Sequence, residues 1–334
     1  MKMTSFSFPE KFLRGGDFMH TILFTSIGRR VQLLRYFKNN GFRVIGVDKN
    51  IAEAAASFVA DRSYQVPSFS SEDYIESLLH ICKEEDVTYL IPLYEPELEL
   101  LSTQKIRFSD IGVEVIISDY TILQIVLDKY LLYEWFREKG ILTPKTFVPK
   151  NGNHKLEGKW VVKPRKGMGS KDVYFVNGKD IDEGVKKVKS PVVQEFISGQ
   201  EYSIDAFVSD NNKVLSIVPR KRIEIRAGEV SKSITCHDES IQKETLRLLK
   251  LGGFYGPINI QGIKCNNTGE FYFIEINPRF GGGVPLSIEA GIPYAQFING
   301  DGDYDLYNSL HPFEHGLMML RYDEAYYIKS QQNC

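Results

Sequence analysis

The sequence of 334 residues lacks the marks of several protein classes. Its four cysteines are scattered and form no CxxC pair, which argues against a zinc site and a disulfide framework and favours a reducing cytoplasm. The net charge of −2 supplies no basic surface for nucleic acid. No apolar run approaches the roughly 20 residues of a membrane-spanning helix. We therefore expect a cytoplasmic protein that binds neither nucleic acid nor a membrane.

Familiar nucleotide-binding motifs are missing as well. The loop at residues 26–30 lies between a predicted strand and a predicted helix, but it has no GxGxxG spacing, so we do not predict a dinucleotide site there. No GxxxxGK[ST] P-loop occurs. Residues 1–18 lack the apolar core of a signal peptide, and we expect them to form a disordered extension.

The composition is that of a globular protein, with 43% hydrophobic and 25% charged residues, and the length suggests two or three compact units. From residue 19 to 117, apolar strands alternate with amphipathic helices, which predicts a parallel sheet. One loop at the carboxyl end of a strand carries Glu95 and Glu97. These acids either bind a substrate ammonium group or, for Glu97 above all, begin a helix whose dipole favours acids.

The rest of the chain is predicted to be mostly antiparallel. Residues 118–140 are predicted to be helical, and three strands rich in aromatic and β-branched residues follow at 160–163, 173–176 and 192–197. Longer strands, a helix at about 239–251 and a terminal strand at 316–322 are predicted further on.

The most informative feature is a predicted hairpin, whose strands run over residues 257–265 and 269–279. Folding it about Thr268 places Gln261 opposite Glu275, and Asn259 opposite Asn277. A hard divalent cation such as Mg²⁺ takes oxygen ligands of this kind and keeps room for phosphate. The alternative is a sheet face that simply meets water.

Side-chain alternation along the second hairpin strand predicts two faces. Glu275 and Asn277 share one of them, and Tyr272, Ile274 and Ile276 share the other.

Arginines accompany the hairpin. Arg279 follows it and precedes the glycines at 281–283, a combination that suits the close approach of an anion. Arg220, Arg222 and Arg226 are predicted to share one face of an earlier strand. They either form a solvated face or line a site for phosphate and carboxylate, which we favour because like charges repel without anions between them.

A basic, glycine-containing loop joins two predicted strands. It begins at Lys163, which ends an apolar strand and is costly to bury without an anionic partner. The residues that suit a polyphosphate are Gly167, Met168, Gly169, Ser170 and Lys171. A solvated hairpin tip is the alternative, and Lys129, at the start of a helix, is ambiguous by itself.

The strand at 192–197 is predicted to break at Gly199 and then resume. A strand end leaves backbone N–H and C=O groups free for an adenine edge, and Glu201 is placed to accept from ribose hydroxyls. The alternative is an ordinary strand–turn–strand.

In this order the motifs resemble the ATP-grasp superfamily, closest to its carbamoyl-phosphate-synthase-like branch, over residues 19 to 300. The resemblance rests on Lys129, Lys163 with its glycine loop, residues 194–197, Glu201, Gln261, Glu275, Asn277 and Arg279. It implies a Rossmann-like domain at 19–117 and an ATP-grasp domain at 118–334, with a small lid at about 145–197 and a larger antiparallel part at about 198–334. The chain has one ATP-grasp unit and no glutaminase portion, so carbamoyl phosphate synthase activity is not implied.

The resemblance also implies residue roles. Lys129 and Lys163 would hold ATP phosphates beneath residues 167–171. Adenine would bind at Glu195, Phe196 and Ile197, and ribose at Glu201. Ligands of Mg²⁺, with Mn²⁺ as an alternative, would be Gln261, Glu275 and Asn277. Arg279, with Arg220 and Arg222, would act on the reacting acyl group.

The implied activity is that of a carboxylate–amine ligase, which phosphorylates a carboxylate with ATP and then exchanges phosphate for an amine. Two alternatives stay open: a small-molecule kinase that stops after phosphoryl transfer, and an ATP-binding regulatory protein without turnover. The expected partners are small-molecule carboxylates and amines. Dimers are common among such enzymes, so a homodimer is a candidate assembly.

Overall fold

The computed structural model describes residues 20–150, 156–167, 169, 171–226, 228–300 and 310–328. The expected extension at 1–18, together with Met168 and Ser170 of the glycine loop, lies outside this part of the chain. Within it the strands form three sheets.

The first sheet is parallel, with strand order β3-β2-β1-β4-β5. Its strands are β1 (His20–Thr25), β2 (Phe42–Asp48), β3 (Arg62–Gln65), β4 (Tyr89–Pro92) and β5 (Glu114–Val115). The helices between them are α1 (Val31–Asn39), α2 (Asp73–Glu84), α3 (Leu98–Thr103) and α4 (Lys105–Ser109). Helix α1 packs because Leu33, Leu34 and Phe37 recur at helical spacing and are all buried. The carboxyl ends of these strands meet at one edge, where open parallel sheets bind ligands.

The predicted helix at 118–140 is two helices, α5 (Tyr120–Val126) and α6 (Lys129–Glu138). The break lies at Asp128, which has extended backbone angles and accepts hydrogen bonds from the N–H groups of Tyr130 and Leu131. An aspartate in this position caps a new helix, which the continuous apolar pattern had concealed.

A four-stranded antiparallel sheet follows, with strand order β6-β9-β7-β8. It comprises β6 (Thr146–Phe147), β7 (Lys159–Pro164), β8 (Tyr174–Asn177) and β9 (Pro191–Glu195), and helix α7 (Ile181–Lys187) packs against it. Its own small core contains Trp160, Val162, Ile181 and Val193.

The third sheet is antiparallel, with strand order β14-β13-β10-β11-β12-β15. Its strands are β10 (Gly199–Val208), β11 (Val214–Arg226), β12 (Glu229–Thr235), β13 (Gly256–Cys265), β14 (Phe271–Asn277) and β15 (Met318–Leu320). Its helices are α8 (Glu239–Leu249), α9 (Val284–Glu289) and α10 (Tyr294–Asn299). The predicted fold class, a parallel sheet followed by antiparallel sheets, is confirmed.

The first and third sheets share one hydrophobic core. Phe24 and Phe37 belong to the same buried cluster as Phe207 and Phe280, and the rings of Phe37 and Phe280 are 6.1 Å apart. The three sheets fall within the sequence ranges predicted for the domains and the lid, but this shared core crosses the limit at 117, so the division into domains stays a prediction. No helix in the described residues is long and apolar enough to cross a membrane.

Candidate active site

The hairpin of β13 and β14 has the predicted register, with Gln261 opposite Glu275 and Asn259 opposite Asn277. A β-bulge follows, because Gly262 pairs with Phe273 and Ile274 is left without a partner. The extra residue reverses the alternation, and Ile276 is therefore buried in the same core as Phe273. The prediction that Tyr272, Ile274 and Ile276 share a face was wrong for this reason. Glu275 and Asn277 lie beyond the bulge, and their pairing is unaffected.

The donor atoms of the hairpin fit a magnesium ion that also binds phosphate. Glu275 is half-buried, and its carboxylate makes no ion pair or hydrogen bond with the described residues. It would supply one charge, and the amide oxygens of Gln261 and Asn277 would supply neutral donors, which would leave positions for phosphate and water, as Mg²⁺ prefers. Gln261 Oε1 also accepts from Arg222 Nη1 at 3.3 Å, so a metal would share this oxygen with Arg222. Asn259 is turned toward Asp205, because its Nδ2 donates to Asp205 Oδ1 at 2.7 Å. No group of three or more His, Cys, Asp or Glu side chains in the described residues could hold a metal by itself.

Lys163 is a buried cation. Only 7% of it is exposed, and its Nζ donates to Gln194 Oε1 at 2.7 Å. Burial, reinforced by the charge of Lys129, lowers the pKa of Lys163 to about 8, while Glu275 acts in the opposite direction. The amide of Gln194 is held in turn by Thr146, to which its Nε2 donates at 2.9 Å. Within the described residues the ammonium group of Lys163 thus has only a neutral hydrogen-bond partner, and a phosphate would stabilise its charge.

A hydrogen bond and an ion pair connect the glycine loop at 163–171 to the start of helix α6. Lys129 Nζ donates to the carbonyl of Gly167 at 2.8 Å. Arg165 pairs with Asp128, the cap of α6, with its Nε 2.7 Å from Oδ2. Gly167 and Gly169 have φ values of +135° and +73°, which disfavour any side chain. Lys171 is exposed and lines a depression under the loop together with Lys166 and Lys189.

The break between β9 and β10 lies at residues 196–198, slightly before the position predicted. Gly199 already belongs to β10, where a Cβ would come within 2.1 Å of the carbonyl oxygen of Lys264. Ile197 forms no hydrogen bond with any described residue, so its backbone is free for an adenine edge. The ring of Phe196 lies 5.9 Å from that of Phe175 on the lid sheet.

The three arginines predicted to share one strand face lie in different surroundings. Arg222 Nη1 is 3.3 Å from Glu201 Oε2 and donates to Gln261 Oε1, also at 3.3 Å. Arg226 pairs with Glu224 and is 69% exposed. The prediction of a shared face fails here because β11 has bulges on both sides of Glu224.

Arg220 is fully buried and forms a fork with Asp205. Its Nε and Nη2 donate to the two carboxylate oxygens at 2.8 and 2.9 Å. Ser287 also donates to Asp205, at 2.6 Å. The remaining nitrogen, Nη1, has no hydrogen-bond partner among the described residues and faces Gly283, where a Cβ would lie 2.4 Å away. Arg220 therefore supports the glycine segment at 281–283 from below.

Two family models match this chain in succession: the PylC-like N-terminal domain over residues 22–116 and the ATP-grasp domain over residues 126–283. Residues 126–283 therefore form an ATP-grasp domain, and the predicted resemblance to that superfamily, with a single ATP-grasp unit, is confirmed.

Individual relatives are distant. The D-alanine–D-alanine ligase of Fusobacterium nucleatum is 24% identical over 165 residues, which are 46% of this chain and 56% of that protein. This chain therefore spans little more than half the length of that curated relative.

Solved structures share the fold at low identity. An L-amino acid ligase from Bacillus licheniformis has a TM-score of 0.69 at 20% identity, covering 89% of this chain and 78% of that one. An ADP complex of N5-carboxyaminoimidazole synthetase from Staphylococcus aureus has a TM-score of 0.68 at 17% identity, covering 92% and 94%.

Within the ATP-grasp fold, Arg279 meets a residue from the N-terminal sheet. Its Nη2 lies 3.7 Å from Glu95 Oε2, and its buried Nε has no hydrogen-bond partner in the part of the chain that the structure describes. Burial, together with the charge of Glu275, raises the pKa of Glu95, and Arg279 and Lys129 oppose this shift. Glu95, Arg279, Glu275 and Lys129 therefore act on one another within a single cleft.

Glu97 has a structural role instead. It is fully buried and accepts hydrogen bonds from Thr25 at 2.6 Å, from the backbone N–H of Tyr94 at 3.1 Å and from the Tyr74 hydroxyl. Its carboxylate is fully used within the protein, so it has no capacity left for a substrate ammonium group.

In the loop after β1, Asp48 accepts from the N–H groups of Gly28 at 3.0 Å and Asn50 at 2.9 Å, so its carboxylate holds the turn.

Asp128 and Arg165 were given no role from the sequence, and Gln194 entered only as part of the motif at 194–197. Asp128 carried a signal, since an acid directly before a helix is a common cap. The contacts of Gln194 and Arg165 carried none, because they depend on the packing of Lys163 and Asp128.

Proposed function

We propose that this protein is an ATP- and Mg²⁺-dependent ligase that activates a carboxylate as an acyl phosphate and joins it to an amine. The observation that carries the proposal is that two charged side chains of the site, one positive and one negative, have no partner of opposite charge among the described residues. Lys163 is buried without an anion, and Glu275 has no ion-pair partner among the described residues. A metal–nucleotide complex supplies both missing partners, because its phosphates are anionic and its metal is cationic.

The nucleotide would lie between the lid and the large sheet. Lys163 and Lys129 would neutralise the phosphates, with the loop at 167–171 above them. Adenine would bind along Glu195, Phe196 and Ile197, and Glu201 would accept from ribose. Glu201 would have to share its carboxylate with Arg222, 3.3 Å away.

Gln261, Glu275 and Asn277 would hold the metal. When bound there, Mg²⁺ would supply positive charge that offsets the charge developing on the transferring group.

The acyl chemistry would take place beside Arg279. One oxygen of the substrate carboxylate attacks the γ-phosphorus of ATP, and ADP leaves. Arg279 has a buried Nε without a partner, which is free to donate to the acyl phosphate. Arg222 would add positive charge next to Gln261. Arg220 would hold the glycine segment at 281–283 in place.

Glu95 would serve the amine. Its raised pKa and its position next to Arg279 suit a group that binds a substrate ammonium and accepts one of its protons. The free amine then attacks the acyl carbon, the C–O bond to phosphate breaks, and inorganic phosphate leaves. The names of the two amino-acid ligases among the similar proteins support amino acids as the substrates. A cytoplasmic location and a homodimer stay predictions.

Incubation with Mg-ATP and a mixture of amino acids tests the proposal. A ligase yields ADP, inorganic phosphate and a condensed product in equal amounts. A kinase would yield ADP and a phosphorylated compound, and a regulatory binder would yield no ADP; either result would refute the proposal.

A further inference from the structure

Arg30 is a half-buried arginine that the proposed chemistry does not use. It ends the loop after β1 and precedes helix α1 at the carboxyl edge of the parallel sheet. Its side chain forms no hydrogen bond or ion pair with the described residues, although a guanidinium carries five N–H donors. Such a group needs an acceptor, since burying it without one is costly.

The backbone of the glycine segment comes close to this guanidinium. A Cβ at Gly282 would lie 3.2 Å from Arg30 Nη1, so any side chain there would crowd the arginine. Arg30 is itself the N-cap residue of α1, and the first turn of the helix contains no acid, so the positive end of the helix dipole adds to the charge of Arg30. The carboxylate of Glu229 also borders this space, since its Oε1 would lie 3.7 Å from the same Cβ.

The nearest acid does not neutralise Arg30. Glu229 is engaged by two other arginines, with Arg29 Nη2 at 3.5 Å and Arg321 Nη1 at 3.1 Å. Burial, and then the charge of Arg279, lower the pKa of Arg30 to about 10, and Glu229 only partly opposes them. The surroundings of Arg30 thus carry an excess of positive charge that an anion would relieve.

Arg279 connects Arg30 to the proposed reaction site. Its charge acts on Glu95 and also on Arg30, and its Nη2 lies 3.7 Å from Glu95 Oε2. An anion bound at Arg30 would therefore lie close to the arginine proposed to act on the reacting acyl group.

We propose that Arg30 binds a second anionic group of a substrate, a carboxylate or a phosphate monoester, in addition to the carboxylate that is activated. This inference rests on the proposed function for the identity of the reacting group. It narrows the candidate substrate pairs to those that carry one anionic group besides the activated carboxylate. An example is an amino acid that reacts through its amine and keeps its own carboxylate free in the product.

Anion binding can be measured without turnover. Wild-type protein, Arg30→Gln and Arg29→Gln would be titrated by calorimetry with inorganic phosphate and with succinate, at constant ionic strength and with Mg-ADP saturating. Arg29 is the matched control, since its side chain is 79% exposed and carries the same charge one residue away. The affinity for Mg-ADP, measured first, shows whether each variant keeps its fold and nucleotide site.

We expect wild-type protein and Arg29→Gln to bind one of the two probes, and Arg30→Gln to bind it at least about tenfold more weakly, with Mg-ADP affinity unchanged. The probe that binds tells a carboxylate site from a phosphate site. Equal binding by Arg30→Gln, or no binding of either probe by wild-type protein, would overturn the inference. Absence of ADP release in the amino-acid assay would refute the ligase proposal while leaving Arg30-dependent anion binding intact, so the two failures are distinguishable.

Discussion

Lys163 and Gln194 form a buried hydrogen bond of 2.7 Å in which the lysine has a neutral partner. The lysine lies on β7 and the glutamine on the adjacent β9, so the lid sheet itself holds the ammonium group in place. The ammonium group of Lys163 is therefore placed to bind a phosphate, and the proton that Lys163 gains on binding can be measured.

Nucleotide binding should take up a proton near pH 8. Lys163 has a pKa of about 8 in the free protein, and adjacent phosphates should raise it. Affinity should therefore fall as the pH rises above 8 and should not depend on this group well below 8. Calorimetry with a non-hydrolysable ATP analogue, in two buffers of different ionisation enthalpy, measures the uptake. Lys163→Met should abolish it and weaken binding about tenfold or more, whereas Lys179→Met, at an exposed lysine of the lid, should not. Equal uptake by Lys163→Met and wild type would contradict the assignment.

Glu275→Gln should suppress Mg²⁺-dependent ADP release by roughly 100-fold or more, because the only charged metal ligand of the hairpin is lost. The matched control is Glu270→Gln, an exposed acid near the turn of the same hairpin. ADP release by a coupled assay and thermal unfolding would be compared for both variants. Unaltered turnover in Glu275→Gln would refute the metal role.

Asp128→Ala should affect both stability and nucleotide binding. The side chain caps α6 and pairs with Arg165, so its loss should cost about 1–2 kcal/mol of unfolding free energy and loosen the glycine loop. Asp238 offers a close control, since it caps α8 and pairs with Lys264 away from the cleft. Urea denaturation should show similar losses for the two variants, but only Asp128→Ala should raise KM for ATP. A rise of equal size in Asp238→Ala would show that the effect is general destabilisation.

Arg220→Met should destabilise the fold by roughly 3–5 kcal/mol, because it leaves the buried carboxylate of Asp205 without its cation. Arg226→Met, on the same strand but exposed, should stay within about 0.5 kcal/mol of wild type. Urea denaturation measures both values, and a loss below about 1 kcal/mol for Arg220→Met would be inconsistent with the ion pair's structural importance.

The sequence predicted the features that depend on local pattern. The turn before Gly269 fixes the register of the hairpin, so the pairing of Gln261 with Glu275 could be derived from residue counting. The bulge at Ile274 could not be derived, since it depends on how two whole strands fit. The bulges beside Glu224 removed Arg226 from the predicted face for the same reason.

Contacts between segments that are distant in the chain could not be predicted from the sequence. Arg279 and Glu95 are separated by most of the chain and meet only because the two sheets share one core. For Glu97 the sequence left a substrate-binding acid and a helix-start acid open, and its buried role depends on donors from other segments, such as Thr25 and Tyr74. The roles of the site residues stay predictions until they are measured.

The most direct test of the account follows oxygen from the carboxylate to phosphate. The protein would be incubated with Mg-ATP and a mixture of amino acids whose carboxylates are labelled with ¹⁸O, and the released phosphate would be analysed by mass spectrometry. If an acyl phosphate forms, each phosphate released with a condensed product carries one ¹⁸O atom. Unlabelled phosphate accompanying ADP, or ¹⁸O retained entirely in the organic product, would contradict the proposed mechanism.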